Sequence, residues 1–207
     1  MHSKGLEVFQ ADPRAVKAYA LANAVASRGA DHLRAEPWFE FSGDAEEGIR
    51  RYGIPETAFR LEYKGKGLVV KHFEELAAIS DATGFCKNTY NNMEVLDWDE
   101  TADLLNAVTG WDLCGEEVRR IGERIVNLER AFIAREGITR ADDSLPRRFL
   151  EEPIGPPTSP SAGSVVELEP MLDEYYKARG WDVETGLPTQ AKLEELKLHD
   201  VVEKLDL

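Results

Sequence analysis

Apolar positions along this chain fall mostly on the 3.6-residue period of a helix. After Asp12-Pro13, an N-cap followed by a proline suited to a first turn, Val16, Tyr19, Ala20 and Ala24 share one face as far as Arg28-Gly29. Val69, Val70, Phe73, Leu76, Ala77 and Ser80 predict a second helix that breaks near Gly84. Asp99 to Val108, closed by Gly110, reads as a shorter third. The clearest amphipathic stripe is Val118, Ile121, Ile125, Leu128 and Phe132, on a helix ended by Gly137 and supported by the pair Glu116 and Arg120. This helix and the one begun by Asp12-Pro13 are expected to pack together.

The remainder is less regular. From Trp38 to Lys66 proline, glycine and charges mix without a period, leaving a long connection with one short helix near Asp44–Arg51. Residues 153–164 hold four prolines and two glycines, which predicts an exposed connector, extended or disordered from Pro156 to Gly163. Beyond it, Pro170 to Arg179 and Pro188 to Lys197 read as two short helices in a C-terminal helical tail, 165–207. Candidate strands are few, chiefly Phe59–Leu61 and Val165–Leu168. The expected fold class is mainly α, one helical domain over 1–207 with its core at about 12–152.

Composition narrows the functions. With 25 basic and 39 acidic residues, the 207-residue chain carries a net charge of −14, which repels phosphate backbones and anionic lipid heads. No nucleic-acid or membrane partner is therefore expected. Hydrophobic content of 43% is that of a soluble globular chain, and no apolar run approaches the roughly 20 residues of a membrane span. The first seven residues lack a signal-peptide pattern, so the cytoplasm is the expected location. Dinucleotide-binding, P-loop, GxSxG and HExxH signatures are absent.

Candidate chemistry is sparse. His2, His32, His72 and His199 show no zinc-ligand spacing, and Cys86 and Cys114 match neither a disulfide framework nor a CxxC pair. His32 follows a glycine break in Arg28-Gly29-Ala30-Asp31-His32-Leu33-Arg34, where an exposed loop histidine is the plain reading. His72 and His199 read as structural or solvated. Cys86 reads as a small buried hydrophobe beyond a helix end, and Asp81 either as a solvated residue or as an acceptor for the amino group of a heterocycle. The six alanines between Ala15 and Ala26 let a helix or a flat ligand approach closely, with the choice open.

The chain as a whole carries more than these motifs do singly. Lys4-Gly5-Leu6-Glu7, Asp12-Pro13-Arg14, Arg28-Gly29-x-x-His32-Leu33-Arg34 and Asp81-x-x-Gly84-Phe85-Cys86 follow one another in order. So do Gly110-Trp111-Asp112, Ile121-Gly122-Glu123-Arg124-Ile125, Asn127, Glu129-Arg130, Leu145-Pro146-x-Arg148-Phe149-Leu150-Glu151-Glu152-Pro153 and Tyr175-Tyr176-Lys177-x-Arg179-Gly180-Trp181. Together they closely resemble the C-terminal, third domain of the tungsten-containing aldehyde:ferredoxin oxidoreductase family.

That resemblance implies an oxidoreductase converting small aldehydes to carboxylic acids. Two pterin-dithiolene cofactors would hold tungsten or molybdenum, and a [4Fe–4S] cluster would pass electrons to ferredoxin. It assigns Cys86 to the last cluster ligand, Asp81 to the pterin, with Gly84, Phe85 and Arg34 beside it, and His32 to proton transfer next to the metal. A thiolate suits iron, a carboxylate accepts from an amino group, and imidazole titrates near neutrality. The other three cysteines belong to an upstream CxxCxxxC motif that is not in this chain. The expectation is a domain or split subunit that depends on upstream domains, holds no cofactor stably and is inactive alone, with a homo-oligomer as a further partner. Two alternatives stand beside it: a cofactor-free helical assembly subunit, and a family branch acting on a non-aldehyde such as an aromatic acyl thioester.

Overall fold

In the computed structural model, which describes residues 1–205, a two-stranded antiparallel hairpin (β1 His2–Ser3, β2 Leu6–Glu7) precedes the helices. These are α1 Lys17–Val25, α2 Phe39–Ser42, α3 Ala45–Tyr52, α4 Lys66–Thr83, α5 Trp98–Thr109, α6 Gly115–Arg135, α7 Arg147–Glu151, α8 Leu168–Arg179, α9 Gln190–Glu195 and α10 His199–Leu205. The chain is mainly α, as the periodicity predicts. No helix among the described residues is long and apolar enough to cross a membrane.

Packing is organised around α4. Val69, Val70 and Phe73 are completely buried, and Leu76, Ala77 and Ile79 nearly so. Helices α1, α6 and α8 enclose α4, so its buried polar side chains need partners as well. Two glycines let the backbones close in. A Cβ on Gly67 would stand 2.6 Å from the Tyr175 nitrogen of α8, and one on Gly122 of α6 would stand 2.7 Å from the Glu75 carbonyl oxygen. The acids buried with α4 are paired. Arg179, fully enclosed, bonds to Glu74 and, at 3.0 Å, to Glu75, while the Tyr175 hydroxyl donates to Glu74 at 2.7 Å. A smaller cluster of Leu193, Leu196, Leu198, Val201 and Val202 fixes α9 and α10 against Ala131 of α6.

Several expectations need correction. Asp12-Pro13 begins a single 3₁₀ turn, Pro13–Ala15, and extended Val16 (φ −149°) separates it from α1. Three nitrogens of Arg14 donate to the Asp12 carboxylate, so the cap serves the turn and not a longer helix. The alanines of α1 make room for helices, since α4 and α8 pack on it. The expected pairing of α1 with α6 is not the main contact of either: both pack chiefly on α4, and a hydrogen bond from Ser27 to Glu129 (2.8 Å) links the end of α1 to α6. Neither Phe59–Leu61 nor Val165–Leu168 is a strand. Their backbones serve α1 instead: Arg60 O accepts from the Lys17 amide at 2.9 Å and Val165 O from the Lys17 ammonium. The final predicted helix starts at Gln190, capped by Thr189, rather than at Pro188. The segment Pro156 to Gly163 is a closed loop and not an extended path, because Ile154 N donates to Ser164 O (3.0 Å) and Gly163 N to Ile154 O (2.8 Å).

The predicted stripe on α6 is also turned. Val118 is buried, but Leu128 and Phe132 are 49% and 57% exposed, and the buried side carries Gly122, Glu123, Asn127, Arg130 and Ala131.

Candidate functional site

The hairpin and the end of α4 bring the resembling motifs together. Lys4 and Gly5 take positive φ (45° and 84°), as the two-residue turn of a hairpin requires. The buried Lys4 ammonium pairs with Asp143 at 2.7 Å and also donates to Ala24 O beyond the middle of α1. Desolvation lowers its pKa from the ordinary lysine value, and Asp143 opposes that shift. The hairpin then rests on Gly29, where a Cβ would stand 2.6 Å from the Leu6 Cβ, so only a glycine fits. This seat fixes the entry into the next turn, His32–Arg34, whose cap is Asp31, accepting from the Leu33 amide at 3.0 Å.

That turn abuts the C-terminal end of α4. Arg34 bonds to Glu129 of α6 at 3.0 Å and to Asp81 of α4 at 3.3 Å. Lys87 completes the link, donating to Leu33 O at 2.7 Å and pairing with Asp81 at 2.9 Å. Asp81 is therefore held by two cations while its carboxylate stays 42% exposed, which leaves acceptor capacity for a further donor. Gly84 stops α4 in the left-handed region (φ 78°), and the chain reverses through Phe85 into Cys86. Phe85 packs on the core and against Tyr90, with ring centroids 5.1 Å apart, and its carbonyl accepts from Ser80 at 2.9 Å. Anchored on both sides, Cys86 is presented outward.

Cys86 is exposed, so its reading as a buried hydrophobe is wrong. It precedes a short helical turn over 87–92. Backbone N–H groups of Thr89 and Asn88 and the Thr89 hydroxyl lower its pKa from the usual thiol value. A thiolate-favouring, accessible cysteine is the kind that binds metal. Among the described residues no group of three or more His, Cys, Asp and Glu side chains is placed to hold a metal ion. Cys86 thus fits the role of one ligand in a set completed from elsewhere, and Asp81 fits that of an acceptor for a ring amino group. Cys114 is exposed as well, at the N-cap of α6.

The His32 ring lies on Phe9, with centroids 3.8 Å apart and planes 18° apart. His72 lies outside this region, 3.2 Å from Glu94. Sequence reasoning missed Phe9 and the binding roles of Lys87 and Glu129. Lys87 follows the cysteine directly and Glu129 stands in one of the resembling blocks, but neither position signals that it reaches 54 or 95 residues back along the chain.

The molecule is a helical domain with an edge where a turn bearing a histidine and a helix end bearing a carboxylate are tied by two cations beside an outward cysteine. Comparison with known proteins places it: residues 1–198 match the family model described as aldehyde ferredoxin oxidoreductase, domains 2 and 3, and the chain belongs to that family. It is 37% identical over 205 residues to the tungsten-containing aldehyde ferredoxin oxidoreductase of Pyrococcus furiosus, and 36% identical over 205 residues to that of Thermococcus kodakarensis. Each alignment covers 95% of this chain and 30% of the relative. The chain therefore spans less than a third of those relatives' length. In fold it is similar to a solved structure, the active site complex BamBC of benzoyl coenzyme A reductase in complex with 1,5-dienoyl-CoA. That likeness has a TM-score of 0.61 and 19% identity over 98% of this chain and 33% of the other.

Proposed function

We propose that this chain is the cluster-facing part of a tungsten- or molybdenum-pterin oxidoreductase that converts aldehydes to carboxylic acids and passes electrons to ferredoxin, with polypeptide outside this chain completing the site. The observation that carries the reading is the single edge on which Asp81, Gly84 and outward-facing Cys86 are clamped to the His32–Arg34 turn by Arg34 and Lys87.

Oxidising an aldehyde to an acid adds the oxygen of water and releases two protons and two electrons. The bound metal and cluster supply the electron chemistry. The residues of this chain do the rest. Cys86 offers a thiolate whose charge the amides of Asn88 and Thr89 stabilise. Asp81 accepts from the amino edge of the pterin, and Arg34 and Lys87 fix its carboxylate in rotamer. Gly84 supplies the reversal that sets the spacing between the two. His32, held flat by Phe9, takes up the released protons one at a time and passes them to water.

Co-expression of this chain with a polypeptide carrying CxxCxxxC, under anaerobic conditions, tests the reading through iron, sulfide and tungsten content and aldehyde-dependent viologen reduction. The expected result is a complex with iron near four per protomer, lost in Cys86→Ala and kept in Cys114→Ala. The lone chain is expected to hold neither iron nor tungsten in stoichiometric amount. Equal iron in the wild type and Cys86→Ala would remove the role given to Cys86. A complex that assembles without iron or tungsten would favour the assembly-subunit reading.

A further inference from the structure

An apolar groove runs along the side of the same edge. The end of α4, the outer face of α5 and the start of α6 line it, with Phe85, Leu104, Leu105, Val108, Trp111 and Ile121 as its larger side chains. Phe85 is shared with the cysteine loop, so the groove is continuous with the surface around Cys86. Val108 is 86% exposed, Trp111 58% and Leu104 45%. Scattered exposed apolar residues need no explanation, but a contiguous set with a tryptophan at one end marks an interface.

The surroundings say what kind of partner fits. Asp103 and Asp112 flank the groove's α5 residues in sequence, Asp97, Asp99 and Glu100 lie at the start of α5 where they cap α5 and receive the first amide of α6, and no lysine or arginine occurs from Val95 to Leu113. A second copy of the same face would set these carboxylates against their equals, in a chain whose net charge is already −14. An apolar segment flanked by basic residues is matched in both respects. The chain accounts for 30% of the length of its relatives, so the family protein has polypeptide to supply it.

We propose that this groove docks an apolar, basic-flanked segment of the polypeptide that supplies the remaining cluster ligands, seating that polypeptide beside Cys86. This rests on the reading of Cys86 as one ligand of a cluster completed from outside the chain.

The test is copurification with the CxxCxxxC-bearing polypeptide of the same source. Wild type is compared with Val108→Asp/Trp111→Asp and with Leu128→Asp/Phe132→Asp, an exposed apolar pair on α6 outside the groove that serves as control. All four positions are solvent-exposed, so the variants keep the helical circular dichroism of the wild type. The groove variant is expected to lose at least tenfold in retained partner and the control less than twofold, with the wild-type complex weakening as salt rises. Retention of the partner by the groove variant overturns the proposal, whatever the iron content. Sedimentation of the lone chain as a dimer that Val108→Asp/Trp111→Asp makes monomeric would also overturn it, by naming a second copy as occupant. A groove-dependent complex that holds no iron would support the docking surface while removing the cluster role of Cys86, so the two readings fail separately.

Discussion

Gly122→Ala should destabilise this chain although alanine is the better helix former. Replacing glycine in a helix interior ordinarily gains up to about 1 kcal/mol. Here the added Cβ would sit 2.7 Å from the Glu75 carbonyl oxygen and 3.2 Å from its carbonyl carbon, and both are backbone atoms that cannot rotate away. Reaching ordinary contact at 3.4 Å needs α6 and α4 to separate by about 0.7 Å. On its α8 side α4 has no slack, because Gly67 is already tight against the Tyr175 backbone. Overpacking of this kind costs about 1–3 kcal/mol, and the full length of the α4–α6 contact must open to relieve it. Because the whole contact must open, the cost lies in the upper part of that range, about 2–3 kcal/mol, and less the propensity gain of about 1 it leaves a net loss of about 1–2 kcal/mol. For a domain of this size that is a fall in Tm of roughly 2–8 °C. Thermal unfolding followed by circular dichroism, with urea titration at 25 °C, measures it. An unchanged or raised Tm would show that the crossing is looser than these distances state, and the argument from close backbone approach would fail.

Two further outcomes are expected. Glu40 is wholly enclosed, with Lys66 against it and the Ala18 amide donating at 2.9 Å, and burial pushes its pKa up to about 7 against the opposing pull of Lys66. Between about pH 4.5 and 7 the native state holds a proton that the unfolded state has lost, so this group's contribution to stability falls as pH rises, by on the order of 3 kcal/mol across the window. Glu40→Gln should flatten the urea-derived stability profile there, and parallel profiles for the two proteins would refute the assignment. The Phe9–His32 stack predicts upfield-shifted His32 ring protons that move toward ordinary histidine positions in Phe9→Leu; identical shifts in the two spectra would show that the rings do not stack.

How much was legible depended on whether a feature was local. The helices over 66–83, 98–109 and 168–179 were readable because an apolar period ends at a glycine that takes positive φ, at Gly84, Gly110 and Gly180. The hairpin is not legible because strands of two residues carry no alternation, and Lys4-Gly5 signals the family resemblance without signalling a turn. Asp12-Pro13 gave a true cap signal, but Arg14 binds the Asp12 carboxylate so fully that the turn closes on itself. In the site, Asp81, Gly84 and Cys86 stand within one loop and could be read together, whereas the partners that hold them are tertiary. Arg34 reaches Asp81 across 47 residues and Glu129 across 95, and periodicity reports neither.

The turned face of α6 shows why pattern alone fails here, and what the failure secures. Rotating the helix to bury Leu128 and Phe132, each already about half covered, would gain on the order of 1 kcal/mol apiece. The same rotation would pull Arg130 from Asp143, a pair at 2.9 Å with both side chains essentially unexposed, and Asn127 from the Trp181 indole N–H at 2.8 Å. Breaking a buried pair costs about 3–5 kcal/mol, and stranding the indole donor adds about 1–3. Polar satisfaction outweighs the apolar stripe. The observed rotation also places Glu129 where it accepts from Ser27 and binds Arg34, the cation that holds Asp81. The buried Arg130–Asp143 pair, which Lys4 joins from the hairpin, therefore sets the angle of α6, and through Glu129 that angle reaches the edge that bears Cys86.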